Sequence, residues 1–122
     1  MASVVILPES NETTLCLQLH GNVTAEDFDR YCHQEIKKRI DAHGYFNMII
    51  DYDADYKGWE ADAAEHNFKS IMELGDKPHK LAYVNPPERK IFLMKMTGPI
   101  VKGEIRYFER GQYQDALKWI RE

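Results

Sequence analysis

Apolar and polar residues alternate most clearly along Thr13 to His20, where Leu15, Leu17 and Leu19 interleave with Thr14, Cys16 and Gln18. A period of two marks a strand with two unlike faces. A shorter apolar run, Val4 to Leu7, precedes it across the turn-rich Pro8 to Glu12, so the two runs are expected to pair as an antiparallel hairpin. Gly21-Asn22 closes the second strand. Thr24, three residues before Asp27, then places a capping hydroxyl at a helix start. That helix carries Phe28, Tyr31, Cys32, Ile36 and Ile40 at spacings of three and four, turns Asp29, Arg30, Lys37, Lys38 and Asp41 outward, and ends near His43-Gly44.

Asn47 to Asp51 contains Met48, Ile49 and Ile50, an apolar run too short for a stable helix and bounded by polar residues. It reads as the central strand of an α/β sheet. A second helical pattern follows Trp59, with Ala63, Ala64, Phe68, Ile71, Met72 and Leu74 as its apolar positions and Gly75 as its end. Lys80 to Asn85 has strand length, and Pro86-Pro87 ends it and opens a third helix over Glu88 to Met96. Glu104 to Phe108 is the last strand. Gln112 to Arg121 is the last helix, with Ala116, Leu117 and Ile120 on one face. The order β, β, α, β, α, β, α, β, α belongs to the α/β class. It implies a mixed, mostly parallel sheet with right-handed crossovers, helices on its faces and the first strand as an antiparallel edge.

Composition narrows this picture. A chain of 122 residues, 43% of them hydrophobic, fits a single domain over residues 1–122. Sixteen basic against 20 acidic residues give a net charge of −4, and no basic stripe gathers on one face, so nucleic acid is not expected as a partner. No apolar run approaches the roughly 20 residues needed to span a bilayer, and the N-terminus lacks the pattern of a signal peptide. A soluble, cytoplasmic protein is expected. Cys16 and Cys32 have neither a C-x-x-C spacing nor the density of a secreted disulfide framework, so both should be reduced and buried.

Candidate chemistry concentrates after the central strand, since α/β sheets bind ligands at the carboxyl ends of their strands. The loop reads Asp51-Tyr52-Asp53-Ala54-Asp55-Tyr56-Lys57-Gly58-Trp59. Asp51-x-Asp53-x-Asp55 begins like a calcium loop, but Tyr56 stands where the turn needs glycine and Asp62 where a bidentate glutamate is needed. A D-x-D after an apolar strand also brings to mind phosphoaspartyl hydrolases, with Asp51 and Asp53 as nucleophile and acid/base. In a third reading, Tyr56 and Trp59 wall a small-ligand site whose polar groups come from the acids and backbone amides. Asp51, Asp53, Tyr56, Gly58 and Trp59, with Asn85 at the end of the neighbouring strand, are the candidate ligand-binding residues. The simplest reading is structural: Asp51 and Asp53 bond the loop, Asp55 lies in solvent, Gly58 permits a turn, and Trp59 packs the second helix onto the sheet.

His20, His33, His43, His66 and His79 are scattered one per segment, with no spacing that indicates a metal, and no cofactor is expected. Met48, Met72, Met94 and Met96, with Phe68, Phe92 and Trp59, could line an adaptable apolar cleft, although core filling is the commoner use of such residues. Lys37-Lys38-Arg39 and Glu88-Arg89-Lys90 read as solvated helix faces.

Across almost the whole chain the sequence resembles the SpoIIAA-like proteins, whose fold is akin to STAS domains. The resemblance rests on Gly21-x-Val23-Thr24 at the first helix, Ile49-Ile50-Asp51 at the strand end and the Gly58-Trp59 pair. Further matches are Leu81-Ala82-Tyr83-Val84, Arg106-Tyr107-Phe108 and Ala116-Leu117-x-Trp119-Ile120. It implies a binding or regulatory module rather than an enzyme. STAS anti-sigma antagonists carry a phosphorylatable serine just after this strand. Here Asp51 to Asp55 holds no serine or threonine, so a phospho-switch is not carried over. The expectation is a non-catalytic module with a protein partner that self-associates as a homodimer, by analogy of fold. Its alternatives are a carrier of a small apolar ligand or lipid, in a cleft between the sheet and the helices after Trp59 and Pro87, and a small Asp-dependent phosphohydrolase.

Overall fold

The computed structural model describes residues 2–88 and 102–122. In chain order its strands are β1 (Val4–Ile6), β2 (Thr14–Leu19), β3 (Asn22–Val23), β4 (Phe46–Tyr52), β5 (Gly58–Trp59), β6 (Pro78–Val84) and β7 (Glu104–Phe108). The helices are α1 (Ala25–Phe28), which runs through a π-helical turn at Asp29–His33 into α2 (Gln34–His43), then α3 (Ala61–Leu74) and α4 (Tyr113–Ile120). Five strands form one sheet in the order β1-β2-β4-β6-β7, in which β1 pairs antiparallel with β2 and every other pairing is parallel. This is the mixed, mostly parallel α/β sheet with an antiparallel edge that the sequence pattern predicts.

The two faces of the sheet bury different residues. Leu15, Leu17, Leu19, Met48, Ile50, Tyr52 and Leu81 face Phe28 of α1, Cys32 of the π-helical turn, Ile36 of α2 and Ala63 of α3. Cys16, Ile49, Ala82, Val84 and Phe108 face Ala116, Leu117, Trp119 and Ile120 of α4. The leucine alternation along β2 therefore marks one core and its intervening residues the other. β4 carries apolar residues on both sides because helices cover both of its faces, as expected of a central parallel strand.

Thr24 caps α1 as its sequence position implies, its hydroxyl accepting the Asp27 N–H at 3.2 Å. The Asp27 carboxylate turns instead to Ser3, accepting its N–H at 2.8 Å and its hydroxyl at 2.7 Å, so the cap also anchors the chain just before β1. At the far end α2 stops at Gly44, whose N–H returns to the Ile40 carbonyl at 2.7 Å.

Two expectations need correction. Gly21-Asn22 does not simply close β2: Asn22 and Val23 pair with Gly58 and Trp59 in a small parallel sheet of their own. The apolar positions of the second helix do not all turn inward. Phe68 is 54% and Met72 is 56% exposed, whereas Ala63 and Ser70 are buried. The cause lies in the contact with the π-helical turn, where His66 bonds Asp29 at 2.9 Å and Ser70 bonds His33 at 2.9 Å, two rungs four residues apart on each helix. Small and polar groups thus take the inner face, and the bulky Phe68 and Met72 are displaced outward. Trp59 also packs against the first helix, its ring 5.6 Å from that of Phe28. The helix expected over Glu88 to Met96, with the cleft residues Phe92, Met94 and Met96, lies outside the described residues except for Glu88.

Candidate functional site

Along the α4 side of β2 and β4 the side chains change from apolar to polar in step. Cys16 pairs with Ile49 beneath α4, and the next residues on that face, Gln18 and Asp51, pair with each other beside Val84. With only eight residues, α4 covers the apolar part of the face. The polar row at the carboxyl ends remains open. Here Asp51, Asp53, Arg110 and Gln114 border a shallow depression of about 230 Å³.

A chain of hydrogen bonds crosses this edge. Gln18 Nε2 donates to Asp51 Oδ2 at 3.1 Å, which leaves Gln18 Oε1 to accept from His20 Nε2 at 2.8 Å. With Nε2 held as a donor, His20 presents Nδ1 to two carboxylates, at 3.0 Å from Asp55 Oδ1 and 3.4 Å from Asp53 Oδ2. Burial pushes the Asp51 carboxyl above the usual carboxylate range. Gln18 opposes that shift, the neighbouring Asp53 adds to it, and His20 works against it. Asp53 shifts the other way, held low first by the Asp55 backbone N–H, which donates to its Oδ2 at 3.3 Å.

Backbone bonds fix the loop that carries these acids. Asp53 N–H donates to the Leu19 carbonyl at 3.1 Å, Gly21 N–H to the Asp55 carbonyl at 3.2 Å, and Lys57 N–H to the Gly21 carbonyl at 2.7 Å. Gly58 adopts φ of +150°, a conformation open to glycine, and this lets the chain leave the loop and pair with Asn22.

The structure divides the six candidate ligand residues. Asp51 and Asp53 stand at the open edge on the α4 side. Tyr56 and Trp59 lie in the other core, Tyr56 edge-on to Tyr52 with ring centroids 4.9 Å apart and Trp59 against Phe28. Burial raises the Tyr56 phenol, and the neighbouring Trp59 side chain works against that shift. The aromatic pair therefore forms no wall to the acids. Gly58 serves the small sheet. Asn85, at φ of 57°, donates from Nδ2 to the Tyr52 carbonyl at 3.2 Å and from its backbone N–H to the Phe108 carbonyl at 2.8 Å, tying the ends of β4, β6 and β7 together.

Gln18 and His20 belong to the site, although neither is singled out by spacing, since His20 and Asp55 stand 35 residues apart. The signal was nonetheless present: Cys16, Gln18 and His20 share one strand face and turn from apolar to polar just as Ile49, Asp51 and Asp53 do. The thiols offer no nucleophile to this edge. Burial pushes Cys32 up to about 12 and raises Cys16 as well.

The family model described as SpoIIAA-like matches residues 14–121. The chain belongs to the SpoIIAA-like family. No curated protein matches this SpoIIAA-like chain. Among solved structures it is similar to an uncharacterized DUF3478-family protein with a SpoIIAA-like fold from Shewanella loihica PV-4. The TM-score is 0.70 at 20% identity over 98% of this chain and 95% of that one, a likeness of fold. No helix among the described residues of the SpoIIAA-like domain is long and apolar enough to cross a membrane.

Proposed function

We propose that the protein is a non-catalytic binding or regulatory module that presents the polar ends of β2 and β4 to a protein partner. The observation that carries this reading is the open row of Gln18 and Asp51, continued by His20, Asp53 and Asp55. These groups are held by the fold, and two of them, Asp51 and Asp53, border a depression too shallow to enclose a substrate. Membership of the SpoIIAA-like family supports the same conclusion. A phosphohydrolase is disfavoured by the setting of Asp51, whose Oδ2 is engaged by Gln18 Nε2 at the edge of a shallow, open depression. The same proposal includes self-association as a homodimer, by analogy of fold, and work in the cytoplasm, which two unpaired thiols suit.

Affinity capture on the immobilised full chain tests this reading. The expected result is a partner retained by the wild type and lost with the double change Asp53→Lys and Asp55→Lys, with no turnover across a broad panel of esters and phosphoesters. Catalysis that survives purification and disappears on a point change would overturn it.

Carriage of a small apolar ligand is the second reading, favoured by the neighbouring exposed pair Phe68 and Met72 on α3. It predicts lipid in a solvent extract of the purified protein, reduced by Phe68→Ser with Met72→Ser. A clean extract sinks it.

A further inference from the structure

We infer that His20, Asp53 and Asp55 form a binding site for a divalent first-row transition cation such as Zn²⁺ or Co²⁺. One imidazole nitrogen from the end of β2 and two carboxylates from the loop after β4 converge there, with their ligand atoms all within 4.8 Å of one another. The Nδ1–oxygen separations of 3.0 and 3.4 Å are also the edge lengths of a coordination sphere. Ligands about 2.1 Å from a common metal stand about 3.0 Å apart in an octahedron and about 3.4 Å apart in a tetrahedron. The two carboxylate oxygens also lie within 4.8 Å of each other, so small side-chain rotations would bring all three donors onto one ion.

A second observation lies outside the three donors. A histidine that binds metal through one nitrogen is oriented by a partner on the other nitrogen, usually a carboxylate or an amide oxygen. His20 has that support: Gln18 Oε1 accepts from Nε2 at 2.8 Å, and the Asp51 carboxylate fixes which end of the Gln18 amide faces His20 by accepting from Nε2 of that amide at 3.1 Å. Asp51 thus selects the coordinating nitrogen from two residues away. The other histidine paired closely with a carboxylate, His66 with Asp29, has one carboxylate instead of two, and among the described residues only the His20 group gathers three donors.

The donor set also selects the ion. Imidazole suits zinc, cobalt, nickel and copper, whereas magnesium and calcium prefer all-oxygen shells. Three protein ligands leave at least one position for water or a donor from a partner. Asp55, with 58% of its side chain exposed, leaves the ion a path from solvent.

Titration of the chelator-treated full chain tests the site, with Co²⁺ followed by its visible ligand-field bands and Zn²⁺ by calorimetry. The expected result is one ion per chain, binding weakened about tenfold or more by each of His20→Gln, Asp53→Asn and Asp55→Asn, and binding unchanged by His66→Gln. Gln18→Leu, which removes the orienting amide without touching a donor, should weaken Co²⁺ binding by a smaller factor. The inference is overturned by the absence of stoichiometric binding up to about 1 mM ion, by affinities indifferent to the three donor changes, or by loss of binding in His66→Gln. Thermal melts of each ion-free variant separate a lost site from a lost fold.

Discussion

Gln18 and Asp51 are directly paired across β2 and β4, and the amide of one donates to the carboxylate of the other at 3.1 Å. The pair marks the line where the α4 side of the sheet passes from core to open edge. It also joins the central strand to His20.

Asp51 titrates above the ordinary carboxylate range because burial disfavours its charge. The folded state therefore holds this proton more tightly than the unfolded chain does. The resulting stabilisation is complete below the unfolded value and is lost as pH rises through the folded one. Asp51→Asn keeps an acceptor for Gln18 and removes the charge, so its melting temperature at pH 7 should equal or exceed that of the wild type. A clear loss of stability at neutral pH in that variant would show that the charge supports the fold.

Asp27 has the opposite sign. Burial opposes its charge, but the Ser3 hydroxyl and N–H, then Thr24, hold its carboxyl below the ordinary range. Its stabilisation is present above the unfolded value and lost as pH falls through the folded one. Asp27→Asn should cost about 1 to 3 kcal/mol at pH 7 in denaturant melts, and the difference from wild type should shrink in acid.

Lys80 closes the end of α4 from the neighbouring sheet. Its Nζ donates to the carbonyls of Trp119 at 3.1 Å and Glu122 at 2.9 Å and lies 5.2 Å from the centre of the Trp119 ring. Lys80→Met should lower stability by about 1 kcal/mol and raise amide exchange selectively in α4.

Gly103 enters β7 at φ of +103°, and a Cβ there would collide with the Pro78 carbonyl and lie 2.8 Å from that of His79. Gly103→Ala should therefore cost several kcal/mol, or prevent β7 from docking on β6. Gly111→Ala, at φ of +87° with open space around its Cβ position, should show only the backbone strain of about 1 to 2 kcal/mol. Equal melting temperatures for the two variants would contradict this account.

Both thiols should resist a disulfide-exchange reagent in the native protein and react at once in denaturant, since burial raises each of them. Fast labelling of either under native conditions would reopen a role in nucleophilic chemistry.

The period of two in Leu15, Leu17 and Leu19, the short apolar run Met48 to Ile50 and the capping pair Thr24 and Asp27 set out the strands and the start of the first helix without tertiary information. Each depends on neighbours only a few residues apart, and so on backbone geometry alone. The sequence also placed Asp51 and Asp53 at the carboxyl end of the central strand. Only the tertiary structure could decide that Tyr56 and Trp59 face the opposite core, that Phe68 and Met72 turn outward, and that Asp53 and Asp55 meet His20. Those outcomes depend on which strand lies beside which, and on two side-chain rungs that rotate a helix. No local pattern records a contact spanning 35 residues of chain.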